Sequence, residues 1–272
     1  MRVSDAMRRY MKIYRAYAKQ YYLGQLQYKF ATYSWLVGKI LEPLVYLIIW
    51  REITIQNHGL VNGLTTNDVI AYYIILMIVN QFTFTDLIWK FSAYVNSGEF
   101  SNNLILPAHP IHKDIAENIG YKLFSLPVIL ATAVVTSLCF HVEYDLTFLR
   151  ILIFIPVLIA AFLFRFLFEW TISLSSFWFI NMRGISSLYY ILILFFSGRV
   201  IPLSMFPEQL QKLVQYLPFR YMVSYPIEIL FFPDTALTAR WMVIMVVWII
   251  TIVIILKLFY KTSVKRFMGE GI

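Results

Sequence analysis

Five or six apolar runs, each long enough to cross a bilayer, constrain this chain more than any motif in it. They fall at roughly 30–50, 68–90, 120–140, 150–180, 185–202 and 239–260, the fifth being the shortest. A hydrocarbon core needs about 20 mostly apolar residues per spanning helix. Inside it every backbone N–H and C=O must bond internally, so only helices or a closed barrel can cross. The runs are near-continuous rather than alternating, which selects helices. The fold expected is an all-α polytopic membrane protein with six transmembrane helices. The composition agrees: 60% of residues are hydrophobic and only 14% are charged. A soluble domain has nearer 45–50% and about 25%.

Residues 1–28 form a separate element. Arg8, Arg9, Lys12, Arg15 and Lys19 share one side of a helical pattern, and Met7, Tyr10, Tyr14, Tyr17 and Tyr21 share the other. That pattern predicts an amphipathic helix at the headgroup level, where tyrosine rings settle. Residues 29–272 then form one six-span domain, with two loops too long to be turns. One, 91–119, carries Pro110 at a position suited to starting a helix, followed by Asp114 and Glu117 in its first turns. That helix is expected to run through Gly120 into the third span. The other loop, 197–238, has Phe206, Leu210, Leu213 and Leu217 at helical spacing, and then the short apolar piece Tyr221–Phe231. It predicts one or two helices over 203–231 that dip back into the outer leaflet, packed on protein.

The net charge of +8 lies at the flanks of the runs, so headgroups and topology account for it and no nucleic-acid partner is expected. With the N-terminus inside, fifteen of the 23 Lys and Arg fall on the inner side and six outside, Lys39 and Arg165 being unassigned. Both termini are therefore expected in the cytoplasm of a bacterial inner or plasma membrane.

Several chemistries lack their residues. There is no G-x-x-x-x-G-K-[ST] loop to cradle a nucleotide and no Gly-x-Ser-x-Gly nucleophile turn. Cys139 stands alone, and His58, His109, His112 and His141 have no metal-ligand spacing. Nothing in these residues argues for an enzyme, and no metal or cofactor is expected on this chain. What it does carry is charge inside the runs: Lys39 and Glu42, Asp86 and Lys90, Arg165 and Glu169, each pair three or four residues apart on one helix face. Such groups cost at least ~2.5–3.5 kcal/mol at the bilayer centre and so face protein or water. Each pair either neutralises itself, meets a partner subunit, or lines a path; Asp86 and Lys90 also lie close enough to the inner interface to snorkel. Pro43, Pro127 and Pro156 are expected to kink their spans. Arg199 and Glu208 on the outer loop either pair, contact a second subunit, or are solvated.

The order of parts resembles the ABC-2 type membrane subunits of ABC transporters. The likeness is carried by FSGRVIPLSMFP at 196–207, LPFRYMVSYPIEILF at 217–231, NNLILPAHPIHKDIAENIG at 102–120 and SFWFINMRGIS at 176–186. It is nearest to the DUF990-like branch, and it covers almost the whole chain. The resemblance implies a type V exporter-like architecture and one half of a translocation path. A second permease subunit, identical or related, would pair with it through spans 1 and 5. Separate cytoplasmic ATP-binding cassette ATPase subunits would hold the ATP and Mg. It also implies that 91–119 couples to that motor, through Pro110, Ile111, His112, Lys113, Asp114 and Glu117. The outer helices, with Arg199, Pro202, Phe206, Pro207, Glu208 and Pro218, would gate the exit. The alternatives are a self-contained secondary transporter using Glu42, Arg165 and Glu169, and a non-transporting assembly or anchoring subunit. No internal repeat, the usual mark of the former, is present.

Overall fold

The structure is a computed structural model that describes residues 3–105, 109–231 and 235–269. Among the described residues it is almost entirely helical, with one hairpin of two two-residue strands. The elements are α1 Val3–Gln27, α2 Lys29–Gln56, β1 Leu60–Val61, β2 Leu64–Thr65, α3 Thr66–Thr83, α4 Leu87–Asn96, α5 Phe100–Ile105, α6 Pro110–Cys139, α7 Phe148–Ser173, α8 Arg183–Phe196, α9 Glu208–Val214, α10 Pro218–Met222, α11 Ser224–Phe231 and α12 Thr235–Gly269. Leu60 pairs with Thr65 and Val61 with Leu64 in the antiparallel hairpin.

Among the described residues five stretches are long and apolar enough to span a membrane: Lys29–Gln56, Thr66–Asn96, Pro110–Cys139, Phe148–Phe177 and Ala239–Phe267. The expected sixth, run 185–202, forms only the 14-residue α8. At ~1.5 Å per residue it is about 21 Å long, short of a ~30 Å hydrocarbon core. The chain then turns at Gly198 and returns through short helices.

The second stretch is the centre of the bundle. Of its most apolar window 78% is buried, against 17–39% for the other four. Val69, Tyr73 and Val79 of α3 are fully enclosed, with Phe164 of α7 and Ile227 of α11 in the same cluster. A second cluster is aromatic: Phe91, Phe100, Phe166, Trp170, Phe177 and Phe267. It lies at one end of the bundle, called proximal here. Asn96 Nδ2 donates to Ile180 O at 2.9 Å there, and the Trp178 ring stacks on Phe259 at 4.9 Å. The opposite, distal end holds the hairpin and α9–α11, tied by Asn67 Nδ2 to Glu143 O at 2.8 Å and by Arg150 Nη1 to Leu230 O at 3.1 Å.

Helix α1 exists as the alternating tyrosine and basic faces predict. Lys12, Arg15 and Lys19 are exposed, and Tyr14, Tyr17 and Tyr21 are half-buried. Its buried side rests on α6. Tyr14 Oη lies 2.9 Å from His112 Nδ1, and Tyr22 packs edge-on to Phe124. The contact is close enough that a Cβ at Gly120 would lie 2.4 Å from Ala18 O. The side chains of Met7 and Arg9 lie outside the described residues.

Pro43, Pro127 and Pro156 lie inside continuous helices. Among the described residues the one interruption of a span falls where no proline stands, at Phe84–Asp86 between α3 and α4. The 68–90 run is therefore two helices, not one. The 91–119 loop is correspondingly smaller than the sequence suggests. Helix α4 extends to Asn96, and α6 begins at Pro110 and runs unbroken through Gly120, leaving 97–109 as the connection.

A candidate functional site around a broken span

Breaking a helix inside a membrane frees backbone groups that must find partners in protein. Here charged side chains supply them. Lys122 Nζ donates to Phe84 O at 2.8 Å, at the carbonyl end of α3. Arg165 Nη1 donates to Asn80 Oδ1 at 3.2 Å and Thr83 Oγ1 at 3.3 Å, on the last turn of the same helix. Across the gap, the first amide of α4, Leu87 N, donates to Glu169 Oε2 at 3.4 Å. Cations thus meet a helix C-terminus and an anion meets an N-terminus, the signs that both macrodipoles favour. Arg165 Nε and Glu169 Oε1 are 3.3 Å apart, and Tyr189 Oη donates to the same oxygen at 2.9 Å. Both charged side chains are fully buried. The i, i+4 pair therefore does neutralise itself, and its wider use is to close the break.

The other two sequence pairs are not pairs. Glu42 is held by Arg199, whose Nη2 lies 2.6 Å from Oε2; Lys39 instead places its ammonium 3.6 Å from the centre of the Phe84 ring. Sequence spacing missed this because Arg199 approaches from 157 residues away. Glu208 is bonded not to Arg199 but to Lys212 at 2.7 Å, an exposed contact worth little. Lys90 turns away from Asp86 and lies between Asp114, 2.8 Å from Oδ1, and the Glu117 carboxylate. Asp86 keeps only the Tyr190 hydroxyl, at 3.3 Å.

At the proximal end the first turns of α6 are latched to two spans. Asp114 accepts from Lys90 of α4 and, through Oδ2, from Trp170 Nε1 of α7 at 3.0 Å. Asp114 and Glu117 are only 7% and 8% exposed. Pro110 is the first helical residue, Ile111 packs on the aromatic cluster, His112 meets Tyr14, and Lys113 lies 5.5 Å from the Tyr94 ring. His109 caps the helix, its Nδ1 accepting from Ile111 N at 3.3 Å. Burial, and then the neighbouring His112, hold its ring below the usual imidazole value. The folded state thus favours the neutral, accepting form. The cap's contribution is present above about pH 6.5 and lost as pH falls through the lowered value. Acidification is expected to loosen the first turn of α6 and expose 97–105 to protease, and His109→Asn, which still accepts, should flatten that dependence.

The distal residues do not gather into one site. Pro202 precedes a 3₁₀ turn at Leu203–Met205, Phe206 and Pro207 link it to α9, Glu208 opens α9 and Pro218 opens α10. Between these pieces, the hairpin and the start of α12 lies a cavity of about 660 Å³. Tyr72, Tyr225 and Trp241 line it, as do Arg220 and Glu228. Arg220 is 5% exposed, donates through Nε to Glu228 Oε2 at 3.1 Å, and holds its guanidinium 4.6 Å from the Trp241 ring centre. This pair carries no sequence signal, because the partners are eight residues apart across a turn. Lys90, Lys122 and Trp170 were equally hidden, each having its partner on another helix.

Helices that bury their charges against one another, and expose apolar flanks, define a multi-pass membrane protein. The family model described as ABC-2 family transporter protein matches residues 20–271, and the chain belongs to that family. It is accordingly a membrane permease subunit of an ABC transporter. No curated protein matches it.

Proposed function

We propose that this subunit forms half of the path of an ATP-driven exporter, moved by separate ATPase subunits docked at the proximal end. The observation that supports this most is the latch: the start of α6 is bonded to α4 and α7 at once, through Lys90 and Trp170. A push on 97–113 is thereby carried into three spans. Buried Asp114 and Glu117 serve that transmission, along with Pro110 and His112. The touching surface falls to exposed groups beside them. Ile105 is 81% exposed and Ile180 is 84% exposed, and both stand beside the loops at the proximal end. Both termini and these loops then lie in the cytoplasm, ATP and Mg reside on the partner, and α9–α11 gate the outer side. A second permease subunit completes the path.

The test is purification of the tagged chain with its ATP-binding cassette partner from native membranes. Ile105→Asp with Ile180→Asp should leave the permease folded and membrane-inserted but reduce ATPase recovery by about tenfold, a ~1.4 kcal/mol loss. Undiminished recovery and ATP turnover would remove this docking surface. The broken second span is the one observation that favours a self-contained secondary transporter, since such proteins use interrupted helices. Gradient-driven transport by the chain alone, without any ATPase, would establish that reading instead.

A further inference from the structure

We propose that Asp86 and the aromatic pocket beside it bind the positively charged head of an organic cation. This deepens the export reading by naming a substrate class, and it rests on that reading only for transport, not for binding. Each other carboxylate on the spans has a charge or a cap to serve. Glu42 has Arg199, Asp114 and Glu117 have Lys90, Glu169 has Arg165, Glu52 has Arg51, and Asp68 caps α3. Asp86 has no cation within 4.0 Å among the described residues. It stands at the N-terminus of α4 yet makes no capping bond to that helix. It is exposed on the surface of the single chain. An ionised carboxylate at membrane depth is costly facing lipid, so its position calls for a polar or charged neighbour.

The adjoining pocket supplies the complementary chemistry. It has a volume of about 200 Å³ and is lined by the rings of Tyr21, Trp35, Phe84 and Tyr121, with Asp86 in its wall. A carboxylate among aromatic faces recognises ammonium groups. The space suits a head group rather than a drug-sized molecule, whose pockets run to ~300–1,000 Å³. Trp35, 67% exposed, continues the wall outward for an apolar body. The protein shows the chemistry with its own cation, Lys39, whose ammonium sits on the Phe84 ring. The other charges nearby are engaged: Lys90 with its two acids, Lys122 with Phe84 O, and Arg165 with Glu169. Lys90 and Glu117 also stand in the pocket wall, their charges offsetting each other, so among the described residues Lys39 is the competing charge without a carboxylate of its own.

Binding of radiolabelled tetraethylammonium to the full chain in uncharged maltoside micelles tests this. Asp86→Asn, which keeps an acceptor for Tyr190, should weaken binding by about tenfold. Trp35→Ala, an exposed change that spares the fold, should weaken it by about threefold, in the range of one surface cation–π contact. Lys39→Met should strengthen it, and Glu52→Gln at the distal end should change nothing. Displacement by phosphatidylethanolamine but not phosphatidylglycerol assigns the site to a lipid amine, and displacement by neither assigns it to a free cation. Absence of binding, or equal binding by folded Asp86→Asn and Trp35→Ala, overturns the proposal. Binding without any ATPase response would keep the site and remove the motor reading; the reverse would remove the site alone.

Discussion

Arg165→Met is expected to cost this protein more than any other single change in its spans. The substitution leaves Glu169 fully buried with no cation, and breaking such a pair costs about 3–5 kcal/mol. It also strips Asn80 and Thr83 of their donor at the end of α3. Thermal unfolding in detergent, followed by loss of monodisperse protein, should fall sharply or leave no folded fraction. The double variant Arg165→Met with Glu169→Gln should recover part of the loss, because no uncompensated charge remains and the single amide oxygen still accepts from one of the two donors, Tyr189 Oη or Leu87 N. If the single variant melted with the parent, the charged pair would not be what closes the gap in the second span.

Gly120→Val should detach α1 from α6. The new Cβ would lie 2.4 Å from Ala18 O and 3.1 Å from Ala18 C, backbone atoms that no rotamer change can move aside. Glycine inside a helix costs about 1 kcal/mol relative to alanine, so its presence in mid-α6 reflects the close crossing. Overpacking a tight contact costs ~1–3 kcal/mol, and here the strain is best relieved by separating the helices. Limited proteolysis at Arg15 and Lys19 should become fast, while the spans stay protected. Gly24→Ala is the matched control, since nothing lies within 4 Å of a Cβ there. Equal protection of α1 in both variants would mean that the crossing is looser than the structure shows.

Five of the long apolar helices, the basic N-terminal helix and the short helices of the 203–231 loop were legible because each rests on local periodicity and on a solvent that forbids other backbone states. The α6 start at Pro110 was legible for the same reason, since proline at a first helical position is a local signal. The gap at Phe84–Asp86 was not. Nothing in QFTFTD, residues 81–86, breaks a helix by propensity alone, and the partners that make the gap tolerable come from α6 and α7. The charges were visible but their pairing was not. Spacing along one helix correctly joined Arg165 to Glu169, yet it also suggested Lys39 with Glu42 and Asp86 with Lys90. In both of those cases a partner from a distant helix prevailed: Arg199 for Glu42, and Asp114 with Glu117 for Lys90. An apolar bundle can place any two helices side by side, so contacts of that kind become readable only once the packing is known.

The three residues between α3 and α4 make the second span a jointed strut rather than a rod. Its lower member is fastened to the base of the third and fourth spans, while its upper member is wedged among distal helices. A stroke delivered at the base would bend the strut at that joint before reaching the far side. Under the proposed docking, force that reaches the distal cavity would climb α6 or α7, with the upper member of the second span as the fixed post against which they slide.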